Sequence, residues 1–163
     1  MNSKAQTQHV FLYLFALFII GALVLIGYKA ITRITTAGCD AGKETFKSEL
    51  INLIEQYDTK GSSHLEKMST PCSFTQLCFL DSDVILDSAP LASNAPLIVK
   101  DAQTSQSHTN LWLNKGDSWE SIGWSEKVEI ESTANYLCIK ARGGTFPVQF
   151  KGLGRRTRVA LPN

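Results

Sequence analysis

Residues 10–28 read VFLYLFALFIIGALVLIGY, and this uncharged stretch decides how the chain is organised. Most residues from Val10 to Ile26 are Leu, Ile, Phe or Val, and no charged side chain occurs between Lys4 and Lys29. As an α-helix, residues 10–28 would span roughly 28 Å, close to the thickness of the hydrocarbon core of a membrane. Apolar residues occupy every face, so this helix has no polar side for water. The stretch predicts a single transmembrane helix surrounded by membrane lipid.

A cleaved secretory signal peptide is the alternative interpretation of this segment. The apolar run is longer than the core of a signal peptide, and no A-x-A-like cleavage site follows it cleanly. Tyr13 and Tyr28 lie near its ends, where amphipathic rings favour the membrane interface. An uncleaved membrane anchor is therefore the preferred interpretation.

The chain after residue 28 is long enough for one compact domain but not for two. Residues 29–58 contain no proline and predict a helix, because apolar side chains recur at helical spacing at Phe46, Leu50, Leu53, Ile54 and Tyr57. Segments with period-two alternation follow and predict strands at residues 63–69, 75–81, 110–114, 118–124, 127–131, 136–141, 145–150 and 156–161.

These segments predict an antiparallel meander in the C-terminal half, with a hairpin that turns at residues 114–117. The strand at 75–81 is expected to return beside the strand at 63–69, and residues 83–86 are expected to be extended. Residues 97–103 fit a helix or a strand equally well. The predicted fold class is α+β: a long N-terminal transmembrane helix continues into an amphipathic helix packed on an antiparallel β-sheet.

Four cysteines follow the apolar segment, and none has the C-x2-C spacing of a zinc site. An even number of cysteines in this arrangement predicts disulfides in an oxidising compartment, with free thiols in a cytoplasmic domain as the alternative. Pairing Cys72 with Cys78 across a hairpin would leave Cys39 to join Cys138. The two crossed pairings stay open, because sequence alone does not determine connectivity.

The charges that flank the apolar segment indicate the opposite orientation. Lys29, Arg33, Lys43 and Lys47 follow the span, whereas Lys4 precedes it. By the positive-inside rule alone, the C-terminal domain would lie in the cytoplasm. The cysteines and the charges therefore disagree about the side of the membrane on which the domain lies.

No constellation of catalytic or metal-binding residues occurs in the sequence. His9, His64 and His108 are scattered and lack the spacing of metal ligands, so we expect no metal and no cofactor. Asp81, Asp83 and Asp87 resemble turn residues more than an acid–base pair, so we expect no enzymatic activity. The formal net charge of +1 offers no bulk attraction to nucleic acid, and we expect no such partner.

Three tryptophans, Trp112, Trp119 and Trp124, fall around the expected hairpin. Packing in the core or in cross-strand pairs is the preferred interpretation. The alternative is an aromatic contact surface for a partner chain or a glycan, so these three residues are candidate partner contacts.

The residues before the apolar segment carry a more specific signal. Lys4 is followed by the small residue Ala5 and then by Gln6 and Thr7. This order resembles the processing site of archaeal type IV prepilins, which implies cleavage between Ala5 and Gln6. Most of the chain, with KAQTQ before the apolar span, G-C after it, a later P-C-x5-C and L-C-I-K, also resembles a group of uncharacterised small single-pass membrane proteins of reduced-genome archaea.

The resemblance implies a pilin-like, membrane-anchored protein with a cytoplasmic N-terminus and an extracytoplasmic C-terminal domain, in agreement with the cysteines. It implies other membrane helices or copies of itself as partners. Many pilins carry a glutamate five residues into the mature chain, where this sequence has Val10. That difference favours an anchored accessory or receptor-like module that does not form filaments. The expected segments are a leader (1–5), a transmembrane helix (6–28), a helical stalk and amphipathic helix (29–58) and a β-rich extracytoplasmic domain (59–163).

Overall fold

The computed structural model describes the backbone of residues 3–86, 91, 93–105 and 107–162, and the side chains of these residues except 3–11 and 86. The chain forms two compact units, Met1–Ala41 and Gly42–Asn163, and we call the second unit the head. The fold class is α+β, as predicted: one long N-terminal apolar helix precedes sheets that are mostly antiparallel.

In the described part of the chain, the helix α1 (Ser3–Gln56) is followed by eight strands, two short α-helices and a 3-10 turn at Pro71–Ser73. In chain order the strands and the two α-helices are β1 (Ser63–Ser69), β2 (Gln76–Leu80), α2 (Ser82–Leu86), α3 (Leu97–Thr104), β3 (Leu111–Lys115), β4 (Ser118–Gly123), β5 (Val128–Ile130), β6 (Tyr136–Lys140), β7 (Thr145–Gly152) and β8 (Thr157–Ala160). The predicted strands all occur, and the undecided residues 97–103 are helical.

The strands form two four-stranded sheets, whereas the pattern predicted one antiparallel sheet with a meander in the C-terminal half. Sheet A has the order β1-β7-β8-β5, and sheet B has the order β4-β3-β2-β6. The predicted β3–β4 hairpin is present, but β2 pairs with β3 and β6 and not with β1. The pair β5–β8 is parallel. Period-two alternation determines which face of a strand is apolar but not which strand lies beside it.

Residues 83–86 lie in α2, so the predicted extended conformation was wrong. The backbone N–H of Asp83 donates to the Asp81 carboxylate (3.0 Å), and the Val84 N–H donates to the Asp81 carbonyl oxygen (3.2 Å). Asp81 therefore begins a helical turn, as an acidic residue at a helix start commonly does. The turn buries Val84 and Ile85.

The main core lies between the head part of α1 and the inward faces of both sheets. Phe46, Leu50 and Ile54 are buried on one side of the helix, which confirms the predicted apolar face. Leu53 and Tyr57 are only partly buried against this core. The strands contribute Met68, Leu77, Phe79, Leu111, Leu113, Ile122, Val128, Ile130, Ile139, Phe146, Val148, Phe150 and Val159.

A second core lies on the opposite face of sheet B. Leu80 and Trp112 are buried there against Val84 and Ile85 of α2 and against Val99 of α3. Sheet B is therefore covered on both faces, which explains the almost continuous burial along β2 and β3.

The last turn of α1 is capped by a side chain that is distant in sequence. Thr157 in β8 is completely buried, and its hydroxyl donates a hydrogen bond to the carbonyl oxygen of Ile54. This carbonyl is one of the four at a helix C-terminus that lack a partner within the helix. Thr157 thus joins the end of α1 to sheet A.

We expect Thr157→Val to lower the free energy of unfolding by about 1–3 kcal/mol, because the near-isosteric methyl leaves a buried carbonyl without a donor. Denaturant unfolding, followed by tryptophan fluorescence, measures the change. Thr75→Val is a control, since Thr75 is exposed and its hydroxyl is replaceable by water. Equal effects of the two substitutions would contradict the capping role.

Candidate functional site

The apolar part of α1 is a candidate membrane-binding element. From Leu12 onward it is the one helix in the described part of the chain that is long and apolar enough to cross a membrane. Its most apolar 18-residue window has a mean hydropathy of 2.4, and none of that window is buried. Large side chains such as Phe18 (76% exposed) and Ile26 (66%) are mostly uncovered by the described residues. Surfaces of this kind mark contacts with lipid or other apolar partners.

The turn of α1 after this segment contains three threonines, and their hydroxyl groups form hydrogen bonds within the helix. Thr32, Thr35 and Thr36 each donate to a backbone carbonyl oxygen three or four residues earlier, at 2.9–3.2 Å. Such back-bonded threonines carry little additional desolvation cost. The turn therefore suits the boundary between hydrocarbon and water.

The proposed processing residues fall at the start of this helix. The backbone of Lys4, Ala5 and Gln6 is helical within α1. The side chains of these residues and of Val10 lie outside the described part of the structure. The prepilin-like interpretation of this site stays a prediction.

All four cysteines of the head and the adjoining helix are in disulfides, as predicted. Cys78 in β2 is bonded to Cys138 in β6, directly opposite on the neighbouring strand, with their Cα atoms 4.1 Å apart. The favoured pairings of Cys72 with Cys78 and of Cys39 with Cys138 were therefore wrong. The spacing suggested a hairpin, but β1 and β2 belong to different sheets.

The tryptophans do not form one surface. Trp112 is 2% exposed and belongs to the second core, so it is unavailable for partner contacts. Trp119 and Trp124 are partly exposed and pack against the same core. The Trp124 ring meets His108 edge to face, with the ring centroids 5.9 Å apart. Only Trp119 and Trp124 stay as candidate partner contacts among the three.

Ion pairs join elements of the head that are distant in sequence. Arg156 donates two hydrogen bonds to the Asp83 carboxylate, at 2.6 and 2.7 Å. These bonds hold the pKa of Asp83 below its ordinary value and raise that of Arg156. Lys127 binds Asp58 just after α1 (2.7 Å), and this hydrogen bond raises the pKa of the Lys127 ammonium. The first pair links α2 to the residue before β8, and the second links the chain after α1 to the residue before β5.

The free edge of β5 is closed by the side chains of Asp81, which the sequence suggested only as a turn residue, and Ser82. The buried carboxylate of Asp81 accepts the N–H of Ile130 (3.0 Å), and the buried hydroxyl of Ser82 donates to the carbonyl oxygen of Val128 (3.0 Å). Capping in this way hides backbone groups that would otherwise be open to another strand.

The described residues contain no group of three or more His, Cys, Asp or Glu side chains that would hold a metal ion. His64 lies 3.1 Å from the carboxylate of Glu66 and stacks on Tyr57, an arrangement that packs the sheet A side of the head. Near β6 the structure has a cavity of 270 Å³ beside Lys140 and Arg142, which the sequence analysis missed. A signal was present in Lys140 at the end of a predicted strand and Arg142 just before the Gly-Gly turn.

No protein family, curated protein or solved structure matches this chain. The function is therefore argued from the surfaces of α1 and of the head.

Proposed function

We propose that this protein is a membrane-anchored extracytoplasmic structural or interaction protein, with a type IV pilin-like subunit as its leading form. The apolar part of α1 is the anchor, and the disulfide-bonded head makes contacts outside the membrane. Its partners are membrane lipid and other membrane helices or copies of itself.

The two surfaces of α1 carry this proposal. Residues 12–28 expose apolar side chains throughout, whereas Phe46, Leu50 and Ile54 of the same helix are core residues of the head. One helix therefore supplies both a lipid-compatible surface and the foundation of a folded domain. Helices that meet within a lipid bilayer associate by packing and not by the hydrophobic effect, which suits an assembly role for this segment.

Two observations support a cytoplasmic N-terminus and an extracytoplasmic head. Disulfides persist in oxidising compartments, and every cysteine of this chain is disulfide-bonded. The charges after the span favour the opposite orientation less strongly than their number suggests. Lys43 and Lys47 belong to the head, and Lys43 forms an ion pair with Glu120 (2.6 Å). Lys29 and Arg33 are therefore the cations that lie between the apolar segment and the head.

An anchored accessory or receptor-like module that does not form filaments is the second candidate. Val10 favours it, because the glutamate that many pilins carry at the corresponding position is missing. Both candidates share the anchor and the orientation, and they differ in processing and assembly.

We expect Leu17→Arg/Leu23→Arg to release the protein from membranes, because each arginine near the centre of a span costs about 2.5–3.5 kcal/mol of insertion free energy. The wild-type chain and the matched variant Leu17→Ile/Leu23→Ile should stay in the membrane pellet after alkaline carbonate extraction. Both leucines are exposed in the structure, so neither change disturbs the core. Extraction of the wild-type chain would contradict the anchor.

Intact-mass measurement of the protein from native membranes separates the two candidates. A mature chain that begins at Gln6 supports the pilin-like form, and retention of residues 1–5 overturns it in favour of the accessory module. Loss of the whole apolar segment would instead identify a signal peptide. Protease added to intact cells should digest the head, whereas protection of the head in intact cells would contradict the orientation.

A further inference from the structure

The outer edge of β6 offers unpaired backbone groups. β6 is the terminal strand of sheet B, and among the described residues it pairs with β2 alone. The carbonyl oxygen of Asn135 and the N–H of Ala141 are hydrogen-bonded on the β2 side, at 2.9 and 2.8 Å. Along an antiparallel strand, the backbone N–H and C=O groups of successive residues point alternately toward the neighbouring strand and away from it. In β6, those of the odd-numbered residues point toward β2. The N–H and C=O groups of the even-numbered residues then face outward.

The disulfide supports this assignment independently. The Cα atoms of Cys78 and Cys138 are 4.1 Å apart, which matches the narrow, non-hydrogen-bonded pair and not the wide pair of about 5.5 Å. The backbone groups of Tyr136, Cys138 and Lys140 therefore form an open edge among the described residues. An edge of this kind is a template for another strand.

The other edges of the two sheets are less suited to an added strand. Asp81 and Ser82 close the edge of β5. Side chains of α1 approach β4: atoms of Lys47 and Ile51 would lie 3.5 and 3.6 Å from a Cβ placed on Gly123. The edge of β1 is open, but Glu66 and Lys67 give that strand charges of both signs.

A cavity of 270 Å³ opens beside β6. Residues 138–140 of β6 line one side, and the apolar side chains of Pro147, Leu161 and Pro162 line another. Cys138 and Lys140 thus contribute both outward backbone groups and part of the cavity wall. A strand added here would have a place for an apolar side chain next to its backbone hydrogen bonds.

The charges at this edge have one sign. Lys140 and Arg142 line the cavity, are exposed, and form no ion pair with any described residue. In contrast, Lys151, Arg156 and Arg158 are each neutralised by a carboxylate at 2.6–2.7 Å. A partner with carboxylate side chains would supply the missing counter-charges.

We propose that the edge of β6 binds an extended segment of a partner protein that carries acidic and apolar side chains. The segment adds as a fifth strand to sheet B. Its backbone bonds to Cys138 and Lys140, an apolar side chain enters the cavity, and carboxylates meet Lys140 and Arg142. Main-chain bonds provide the attachment, and the cavity and the cations provide the selectivity.

The test uses a fluorescently labelled peptide with blocked ends, acetyl-STVTETETS-amide, whose Val and Glu residues lie on one face of a strand, and the full-length protein in detergent micelles. We expect saturable binding in fluorescence anisotropy and slower amide hydrogen exchange at Cys138 and Lys140. Lys140→Glu/Arg142→Glu should weaken binding by about tenfold or more, since charge reversal replaces attraction with repulsion. Lys60→Glu/Arg155→Glu makes the same change in charge at the other end of β7 and should leave binding unchanged.

A peptide with the same side chains but N-methylated at alternate residues should not bind, because its backbone cannot pair with a strand. Absence of saturable binding up to about 1 mM peptide would overturn the proposal. So would equal binding of the N-methylated peptide, or equal weakening by the two charge-reversal variants. These residues all belong to the head, so failure here would leave the membrane-anchor proposal untouched, and carbonate extraction tests that proposal separately.

Discussion

Removing the disulfide between β2 and β6 with Cys78→Ala/Cys138→Ala should lower the free energy of unfolding by about 4 kcal/mol. The bond closes a loop between residues that are 60 positions apart, and a cross-link of that length restricts the unfolded chain strongly. Alanine is the suitable replacement because Cys78 is completely buried, and a serine would add an unpartnered hydroxyl there.

Guanidinium unfolding of the full-length protein in micelles measures this change through the fluorescence of Trp112, which is 2% exposed in the folded head. Reduced wild-type protein is the control, because reduction opens every disulfide and must destabilise the head at least as much as the double substitution. A decrease of less than about 1 kcal/mol in the free energy of unfolding would contradict the prediction, because it would mean that the unfolded chain gains little conformational freedom without this disulfide.

Gly152→Ala in β7 should destabilise the head by about 3 kcal/mol or more, because overpacking against backbone has no cheap relaxation. A Cβ on Gly152 would lie 2.6 Å from the carbonyl oxygen of Tyr57 and closer still to that of Thr59. The backbone at Gly152 cannot move away from these oxygens without breaking its own hydrogen bonds. Gly61 N–H donates to the Gly152 carbonyl oxygen (3.1 Å), and Gly152 N–H donates to that of Ser62 (2.8 Å).

Gly42→Ala is the matched control for this substitution. Gly42 lies within α1, and a Cβ there would have no heavy atom within 4 Å. Alanine is favoured over glycine in a helix by about 0.5–1 kcal/mol, so this variant should be as stable as the wild type or slightly more stable. If both variants unfolded together with the wild type in a thermal scan, the close approach of β7 to the chain after α1 would be contradicted.

The sequence predicted the parts of this fold that depend on near neighbours. The apolar run at 10–28, the helical face at Phe46, Leu50 and Ile54, and the strand segments all follow from periodicity within a few residues. The β3–β4 hairpin also belongs to this group, because its turn lies between the two strands it joins. For the candidate sites, the exposed apolar helix and the involvement of all four cysteines in disulfides were foreseen.

Strand partners could not be predicted in the same way. The alternation in β1 and β2 gives each strand an apolar face, but their assignment to different sheets depends on β3, β6 and β7, which come much later in the chain. The Cys78–Cys138 bond follows from that assignment, because it requires β2 and β6 to be neighbours. The wrong disulfide and the wrong meander therefore have one cause.

By itself, the sequence determined that the chain has one apolar helix and an α+β head, because lipid compatibility and local periodicity are properties of contiguous residues. Only the tertiary structure decided what each polar or aromatic residue does. Trp112 became a core residue, and Asp81 became the cap of a strand edge. Lys140 and Arg142 became cations without an ion-pair partner among the described residues, beside an open edge. Each of these roles is set by residues tens of positions away, which no local pattern encodes.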